Sequence, residues 1–267
     1  MKYLPTMLIL AVFISGCVSV PAHDLPTSAP VEQTPTPTPT NIPAPSPAPT
    51  FIAILTPTVD LHPGVFTTQQ QEQLYQASLK YLAANDGDAV RVAQSLGFVQ
   101  GADVSNMCGP LAIKILKDAG FAPADVDLKD FWLLNPRQKE QRAVLERVFP
   151  APQYADYRFE QPINDFDFHA FPLKAGDFVY LYAGPDGSFE HMLTVTRVDE
   201  TGRAWSVTNY VTAHVYFSLF AIQELLLYDP AQPKVGKFHE WTDKKNYALG
   251  ITGLGGFEVW RRVVPLP

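Results

Sequence analysis

The chain has little cysteine: only Cys17 and Cys108 among 267 residues. Two cysteines are too few for a framework of structural disulfides, which excludes a disulfide-rich secreted fold. Basic charge is also scarce, since 20 Lys and Arg stand against 27 Asp and Glu and give a net charge of −7. A phosphate-rich polymer is a poor partner for such a chain, and we predict no binding of nucleic acid.

Patterns that hold metals or phosphate cofactors are lacking as well. The sequence contains neither HExxH nor CxxC, the spacings from which many zinc sites are built. The glycine cluster GLGG at 253–256 precedes a strand-like segment, whereas a phosphate-binding loop precedes a helix. We therefore predict no cofactor and no metal site.

The N-terminus has the pattern of an export signal. A short basic start (MK) leads into a mostly apolar run, residues 4–14, which ends at Gly16 and Cys17. This run is shorter than the about 20 residues of a membrane-spanning helix. Its end resembles the bacterial lipobox, with Ile14 where Leu is usual. The resemblance implies a lipoprotein signal peptide over 1–16 and lipidation of Cys17, which would anchor the chain to the extracytoplasmic side of the bacterial membrane. An ordinary signal peptide or a short membrane anchor is the alternative.

Proline is abundant just after this signal. Eleven of the 25 prolines lie between Pro21 and Pro57, many in the alternation TPTPTPT. Such a segment lacks many amide donors and favours an extended chain of about 3.1 Å per residue. We predict that residues 17–64 form a tether that holds one domain, residues 65–267, away from the membrane. A disordered leader without a spatial role is the alternative.

From about Thr67 the hydrophobic pattern is that of a folded domain. Helical spacing predicts helices over 68–84, 89–96, 108–120, 126–134 and 137–148, with Asp86 or Asp88 capping the second. Short segments rich in aromatic and β-branched residues then predict strands over 177–183, 190–199, 203–210 and 256–264. Helices followed by antiparallel strands are typical of an α+β domain.

Cys108 lies where the third predicted helix begins. The amides and dipole of a helix N-terminus stabilise a thiolate, as does a nearby imidazolium. Gly109 is expected to let a substrate approach the backbone, and the amide of Cys108 to face an oxyanion. Because Cys108 is the one thiol left if Cys17 is lipidated, the sequence predicts either a reactive nucleophile or a buried, inert thiol.

Of the six histidines, His191 is the best placed to act as a base. It opens the predicted strand 190–199, and Asn209 lies at the end of the next one. A hairpin that turns near residues 200–201 would pair His191 with about residue 210, beside Asn209 or its neighbour. The amide oxygen would then accept the ring N–H and turn the other nitrogen toward a thiol. A structural histidine and a strand-end asparagine are the alternatives.

These segments, in this order, resemble the papain-like cysteine peptidases. The stretch MCGPLAIKIL (107–116) is similar to the nucleophile motif of the bacteriocin-processing peptidases, where Cys-Gly-Pro opens the central helix. The stretch LKAGDFVYLYAGPDGSFEHMLTVTRV (173–198) is similar to the sheet of that fold and of related cell-wall peptidases. The resemblance covers about residues 100–210 and implies a papain-like fold.

The resemblance also implies a role for each matching residue. Cys108 would be the nucleophile, His191 the base and Asn209 the residue that orients it. Relatives place a Gln before the cysteine as a donor to the oxyanion. Gln100 is the nearest candidate, at a longer spacing than usual, and Asn106 is a possible substitute.

We therefore expect a membrane-anchored extracytoplasmic cysteine peptidase or amidase. Its partners would be the membrane, through the lipid, and a peptide or cell-wall substrate whose amide bonds it cleaves through a thioester on Cys108. An acyl transferase with the same residues would differ only in the acceptor. The alternative to catalysis is an inactive papain-like domain on a stalk that binds peptides or cell-wall fragments.

Overall fold

The computed structural model describes residues 65–98, 104–184, 190–214, 218–243 and 252–266. The chain divides into two units, Met1–Thr56 and Pro57–Pro267, and all described residues lie in the second. Cys17, the tether predicted over 17–64 and Gln100 therefore lie outside the described residues. Within the described ranges, no helix combines the length and apolarity needed to cross a membrane.

Helices come first along the chain and most strands follow. The α-helices are α1 (Thr68–Leu79), α2 (Asp86–Ser95), α3 (Cys108–Asp118), α4 (Lys139–Val148) and α5 (Lys237–Thr242). Three short 3-10 helices cover Val104–Met107, Leu128–Phe131 and Ile163–Asp165. The strands are β1 (Tyr154–Phe159), β2 (Phe178–Ala183), β3 (His191–Thr194), β4 (Arg197–Val198), β5 (Ala204–His214), β6 (Ser218–Tyr228) and β7 (Thr252–Arg262). The predicted α+β class is confirmed, because the N-terminal helices pack against antiparallel sheets.

The strands form two antiparallel sheets, in the orders β1-β7-β2-β3 and β4-β5-β6. The segment predicted as one strand over 190–199 is divided between them. β3 joins the first sheet, with His191 opposite Leu181 of β2, whereas β4 pairs with β5 in the second. The N–H of Thr196 donates to the carbonyl of Trp205 on β5 at 2.9 Å, which links the two sheets where the chain crosses between them.

The first two helices begin with capping interactions. Thr67 and Gln70 form a capping box, in which each side chain accepts the other's backbone N–H, at 3.2 and 2.9 Å. α2 is capped by Asn85, whose side-chain oxygen accepts the N–H of Asp88 at 3.0 Å. The prediction that Asp86 or Asp88 caps this helix is wrong, because both lie inside its first turn.

Other boundaries differ because the chain turns earlier than the pattern indicates. α1 ends at Leu79 and does not reach residue 84. The segment predicted as a helix over 126–134 forms only the short 3-10 helix Leu128–Phe131, and soon after it Leu133 adopts a left-handed backbone with φ of 56°. β1, β6 and α5 were not among the predicted elements.

Apolar residues fill both faces of the four-stranded sheet. On β2, Tyr180 and Tyr182 face a core shared with α1 to α4, whereas Val179 and Leu181 face a second core that includes Phe238 of α5. This alternation is the ordinary consequence of a strand, whose successive side chains point to opposite faces. α3 is buried along most of its length in the first core and contacts β3, which brings its N-terminus to the edge of the sheet.

Candidate functional site

Cys108 is the first residue of α3, as predicted. The 3-10 helix Val104–Met107 runs directly into α3, and the side chain of Met107 caps none of the N–H groups at the helix start. Backbone N–H groups of Met192, Gly109 and Cys108 itself lower the pKa of the thiol. Two of these donors belong to the helix start and the third to β3, so the thiol lies where helix and strand meet.

Burial has the larger effect on this thiol. Cys108 is 5% exposed, and its burial, supplemented by the negative charge of Glu190, raises the pKa of the thiol to about 11 despite the three N–H donors. The sequence pattern predicts stabilisation of a thiolate, and the donors required for it are present. The structure adds the desolvation that outweighs them, so the thiol is protonated at neutral pH.

Gly109 has a different role from the one expected. A Cβ atom at this position would lie 2.4 Å from the carbonyl oxygen of Phe131, and 2.7 and 2.8 Å from the side chain of Met192. The space beside its Cα is therefore filled by protein, and the expectation of a substrate approach there is wrong. Glycine is required because α3 packs closely against the neighbouring 3-10 helix and β3.

His191 begins β3, and its ring Nε2 lies 2.9 Å from the hydroxyl oxygen of Thr208 on β5. The ring also meets the edge of Trp241 on α5, with 5.0 Å between ring centroids. Burial lowers the pKa of His191 to about 4, so the imidazole is neutral at pH 7. When Nε2–H donates to Thr208, Nδ1 is the unprotonated nitrogen and can accept a proton.

The side chains of His191 and Met192 leave β3 on opposite faces. Met192 packs against Gly109, and the hydroxyl of Thr194 donates to the carbonyl of Ala112 at 3.1 Å, so these two residues face α3. His191 lies on the face that carries α5. Among the described residues there is no hydrogen bond between the Cys108 thiol and the imidazole. β3 is, however, the edge strand of its sheet. The Cys108 sulfur lies on one face of this short strand and the His191 ring on the other.

Asn209 has contacts other than those predicted. Its side chain is 3% exposed, and its Nδ2 donates to the carbonyl of Ser105 at 3.2 Å. Its Oδ1 has no hydrogen-bond partner among the described residues. The hairpin of β4 and β5 does turn at residues 199–202, but β3 leaves it to pair with β2. Thr208 therefore lies beside the imidazole, and Asn209 holds the segment that precedes Cys108.

Of the two candidates for an oxyanion donor, Gln100 lies outside the described residues. Asn106 is in the 3-10 helix Val104–Met107, two residues before Cys108, and is partly exposed. Its position next to the helix start is compatible with the predicted role. The backbone N–H of Cys108, also predicted to face an oxyanion, lies at the start of α3.

The sequence pattern predicts no role for three residues near the thiol and the imidazole: Thr208, Glu190 and Tyr180. The buried Tyr180 hydroxyl donates a hydrogen bond to the Glu190 carboxylate. The charge of Glu190 raises the pKa of Cys108, and the charge of a Cys108 thiolate raises the pKa of Tyr180. Burial, with the hydrogen bond to Glu190, raises the pKa of Tyr180 well above its usual value. The one signal in the sequence is the alternation that puts Tyr180 on the same face of β2 as Phe178.

Within the described part of the chain, no three His, Cys, Asp or Glu side chains are grouped closely enough to hold a metal ion. The groups described at this position are a thiol, an imidazole, a carboxylate and backbone amides. Comparisons of the chain with models of protein families, with curated protein sequences and with solved structures find no match. The likeness to papain-like cysteine peptidases rests on the motifs around Cys108 and over 173–198.

Proposed function

We propose that the chain is an exported thiol hydrolase of papain-like fold that cleaves amide bonds with Cys108 as nucleophile. The observation that carries this proposal is the position of Cys108 as the first residue of α3, the helix that contacts β3, which begins with His191. The N–H groups at a helix start stabilise the negative charge that a thiol acquires when it loses its proton.

The reaction begins from a neutral thiol and a neutral imidazole. His191 takes the thiol proton on Nδ1, while Nε2–H remains bonded to Thr208. The sulfur attacks the amide carbon, the carbon–nitrogen bond breaks, and the imidazolium returns its proton to the leaving amine. The imidazole then removes a proton from water, whose oxygen attacks the thioester and releases a carboxylic acid and the thiol. This sequence requires the ring to turn from the α5 face toward the edge of β3.

The substrate we propose is a peptide or the stem peptide of peptidoglycan, because export places the domain among such polymers. Lipid on Cys17 would anchor the chain to the bacterial cell membrane, and the proline-rich segment would serve as the tether. Asn209 supports the catalytic residues in this proposal by holding Ser105, three residues before the nucleophile.

A direct test uses the full chain in detergent micelles. Muropeptides released from bacterial peptidoglycan and a library of acetylated peptides are incubated with it, and products are identified by mass spectrometry. Cleavage should disappear in Cys108→Ala and fall strongly in His191→Gln, while His169→Gln, in an exposed loop, serves as the matched control. A thioester on Cys108 should be detectable after acid quenching.

A binding domain without catalysis is the second candidate, favoured by two observations. The buried thiol of Cys108 has a pKa of about 11, and the ring of His191 is bonded to Thr208 with no hydrogen bond to the thiol among the described residues. This candidate predicts that muropeptides or peptides bind the wild-type chain and Cys108→Ala equally well and leave it unchanged in mass. Detection of cleavage that depends on Cys108 would eliminate it.

A further inference from the structure

The buried carboxylate of Glu258 on β7 accepts hydrogen bonds from two arginines and a tyrosine. Glu258 is 0% exposed, and Arg142 of α4 donates to its two oxygens at 2.6 and 2.9 Å. Arg158 of β1 donates through Nε at 2.7 Å, and the hydroxyl of Tyr182 donates at 2.6 Å. A buried carboxylate is costly without such partners, so the burial of Glu258 depends on these hydrogen bonds.

The consequence for the arginines is that their guanidinium groups are held in place. Arg158 is bonded to Glu258, yet 45% of its side chain remains exposed. A third arginine, Arg137, lies over the ring of Tyr182 with its Cζ 3.9 Å from the ring centroid. Arg137 is exposed, and among the described residues its hydrogen bond goes to the carbonyl of Gly255 at 3.1 Å, with no carboxylate as partner. Arg137 therefore retains donors for a ligand.

Positive charge exceeds negative charge in this cluster. Arg137, Arg142 and Arg158 come from three different segments, and the carboxylates that face them are Glu258 and Asp156, which lies 3.3 Å from Arg142. The excess stands out in a chain whose net charge is −7. A planar guanidinium held by buried partners is suited to bind a carboxylate through two parallel hydrogen bonds.

The cluster is connected to the thiol along one face of β2, because Tyr182, Tyr180 and Cys108 belong to the same core. The rings of Tyr182 and Tyr180 lie 4.8 Å apart, and the Tyr180 hydroxyl is bonded to Glu190, whose charge acts on Cys108. A short stretch of chain joins the two regions: its first residue, Phe131, packs against Gly109 beside the thiol, and its last is Arg137.

Two apolar side chains on the same stretch are exposed. Leu133 is 65% exposed and has the left-handed backbone noted above, an unusual conformation for a residue with a Cβ, and Trp132 is 39% exposed. Exposed apolar groups on the stretch that ends at Arg137 match a ligand with an apolar side chain and a negative end. A peptide with a free carboxylate has both.

We propose that Arg137 and Arg158 bind a carboxylate of the peptide substrate, and that Trp132 and Leu133 contact an apolar side chain beside it. The proposal rests on the proposed function for the place of the scissile bond. It adds a substrate class to that function: peptides that carry a carboxylate close to the bond that is cleaved.

The experiment measures binding without turnover. The full chain with Cys108→Ala, in detergent micelles, is titrated calorimetrically with N-acetyl-Ala-Ala-Leu as the free acid and as the amide. The acid should bind at least about tenfold more tightly than the amide, as expected for a charge-assisted pair of hydrogen bonds. Arg137→Gln should reduce the affinity for the acid to that for the amide. Arg158→Lys keeps the positive charge but loses the planar pair of donors, so it should reduce the affinity for the acid severalfold.

Arg203→Gln is the matched control, since Arg203 is a partly exposed arginine whose partner is Asp199 in the β4–β5 turn. It should bind both probes as the parent chain does. Equal affinity for acid and amide would overturn the proposal, and so would displacement of the acid by an equal concentration of inorganic phosphate. Because the chain tested has no nucleophile, selective binding of the acid can be observed even if the wild-type chain proves to cleave nothing. Conversely, cleavage without preference for the acid would support the proposed hydrolase and contradict the carboxylate-binding site.

Discussion

The imidazole of His191 is bonded to the hydroxyl of Thr208, with 2.9 Å between Nε2 and Oγ1, although the residue next to Thr208 is the asparagine that the sequence resemblance favours. His191 belongs to β3 of the four-stranded sheet and Thr208 to β5 of the three-stranded one. The hydroxyl is buried, so it fixes the orientation of the ring without competition from water.

Thr208 should therefore be the residue that orients the base. We expect Thr208→Val, which keeps the shape and removes the hydroxyl, to lower kcat about 10- to 100-fold with little change in KM, because proton transfer loses its oriented base. Thr208→Ser should retain most of the activity. Steady-state kinetics on the peptide found by the cleavage screen measure both.

Asn209→Ala is the comparison for this pair, because Asn209 holds the backbone of Ser105 and, among the described residues, has no hydrogen bond to the ring. It should lower the free energy of unfolding by about 1 kcal/mol, the usual loss for one hydrogen bond. A larger loss of kcat in Asn209→Ala than in Thr208→Val would return the orienting role to the asparagine.

The high pKa of the Cys108 thiol predicts slow alkylation. At pH 7.5 its reaction with iodoacetamide should be about two orders of magnitude slower than that of a free thiol, and the rate should still rise with pH near 10. Glu190→Gln should increase the rate because it removes the carboxylate charge that opposes the thiolate. Peptide mapping by mass spectrometry separates the adduct on Cys108 from that on Cys17.

Glu224→Gln on β6 provides the control for a general effect of net charge, because Glu224 is paired with Arg197 and does not act on the thiol. An alkylation rate that levels off below pH 8 would contradict the predicted pKa of Cys108.

Gly109→Ala should destabilise the protein even though alanine favours helices. The new Cβ would lie 2.4 Å from the backbone oxygen of Phe131, which cannot move as freely as a side chain. We expect a loss of about 1–3 kcal/mol in the free energy of unfolding, the range seen for overpacked sites. Urea denaturation followed by circular dichroism measures it.

Gly87→Ala in α2 is the matched helical substitution. Its nearest neighbour would be a side-chain oxygen of Asn85 at 3.4 Å, an ordinary contact, so it should leave stability unchanged or raise it by up to about 1 kcal/mol. If the two substitutions had the same effect, close packing at Gly109 could not be its reason for being glycine.

The low pKa of His191 makes stability depend on pH. The unfolded chain binds a proton on this ring near pH 6.5, whereas the folded chain does so only near pH 4. Stability should therefore fall as the pH drops from about 6.5 to 4, because the unfolded state binds more protons in that window. His191 as a residue is half-buried, so the loss should be smaller than the about 3 kcal/mol that the full shift represents.

Urea denaturation at pH 7 and pH 4.5 tests this dependence. His191→Gln should lose less stability between the two values than the wild-type chain, whereas His169→Gln should behave like the wild type. An identical decrease in His191→Gln and the wild type would show that the ring does not contribute.

The elements that the sequence predicts well carry their own signals. α3 begins at Cys108 as predicted because Pro110 fits its first turn, and it ends before Gly120, whose φ of 76° suits glycine. The C-terminal strand predicted over 256–264 overlaps most of β7, which starts earlier and ends at Arg262, for a similar reason: its aromatic and β-branched residues form a local pattern.

What the sequence does not predict depends on distant partners. β1 is held by β7, which begins almost a hundred residues later, and its own residues carry no strong pattern. The division of 190–199 into β3 and β4 depends on which sheet each half joins, so the partner of His191 shifts from Asn209 to Thr208. The pKa of Cys108 depends on burial under other elements, which spacing along the chain does not reveal.

The chain passes from one sheet to the other between β3 and β4, so the position of the His191 base depends on both sheets. The hydrogen bond between His191 and Thr208 spans the joint between the sheets, and widening that joint by about one ångström would put the hydroxyl beyond bonding range. The ring would then lose the hydroxyl that fixes its orientation. The alignment of the two sheets therefore sets the geometry of the base, so a ligand or substitution that shifts one sheet against the other should change the activity.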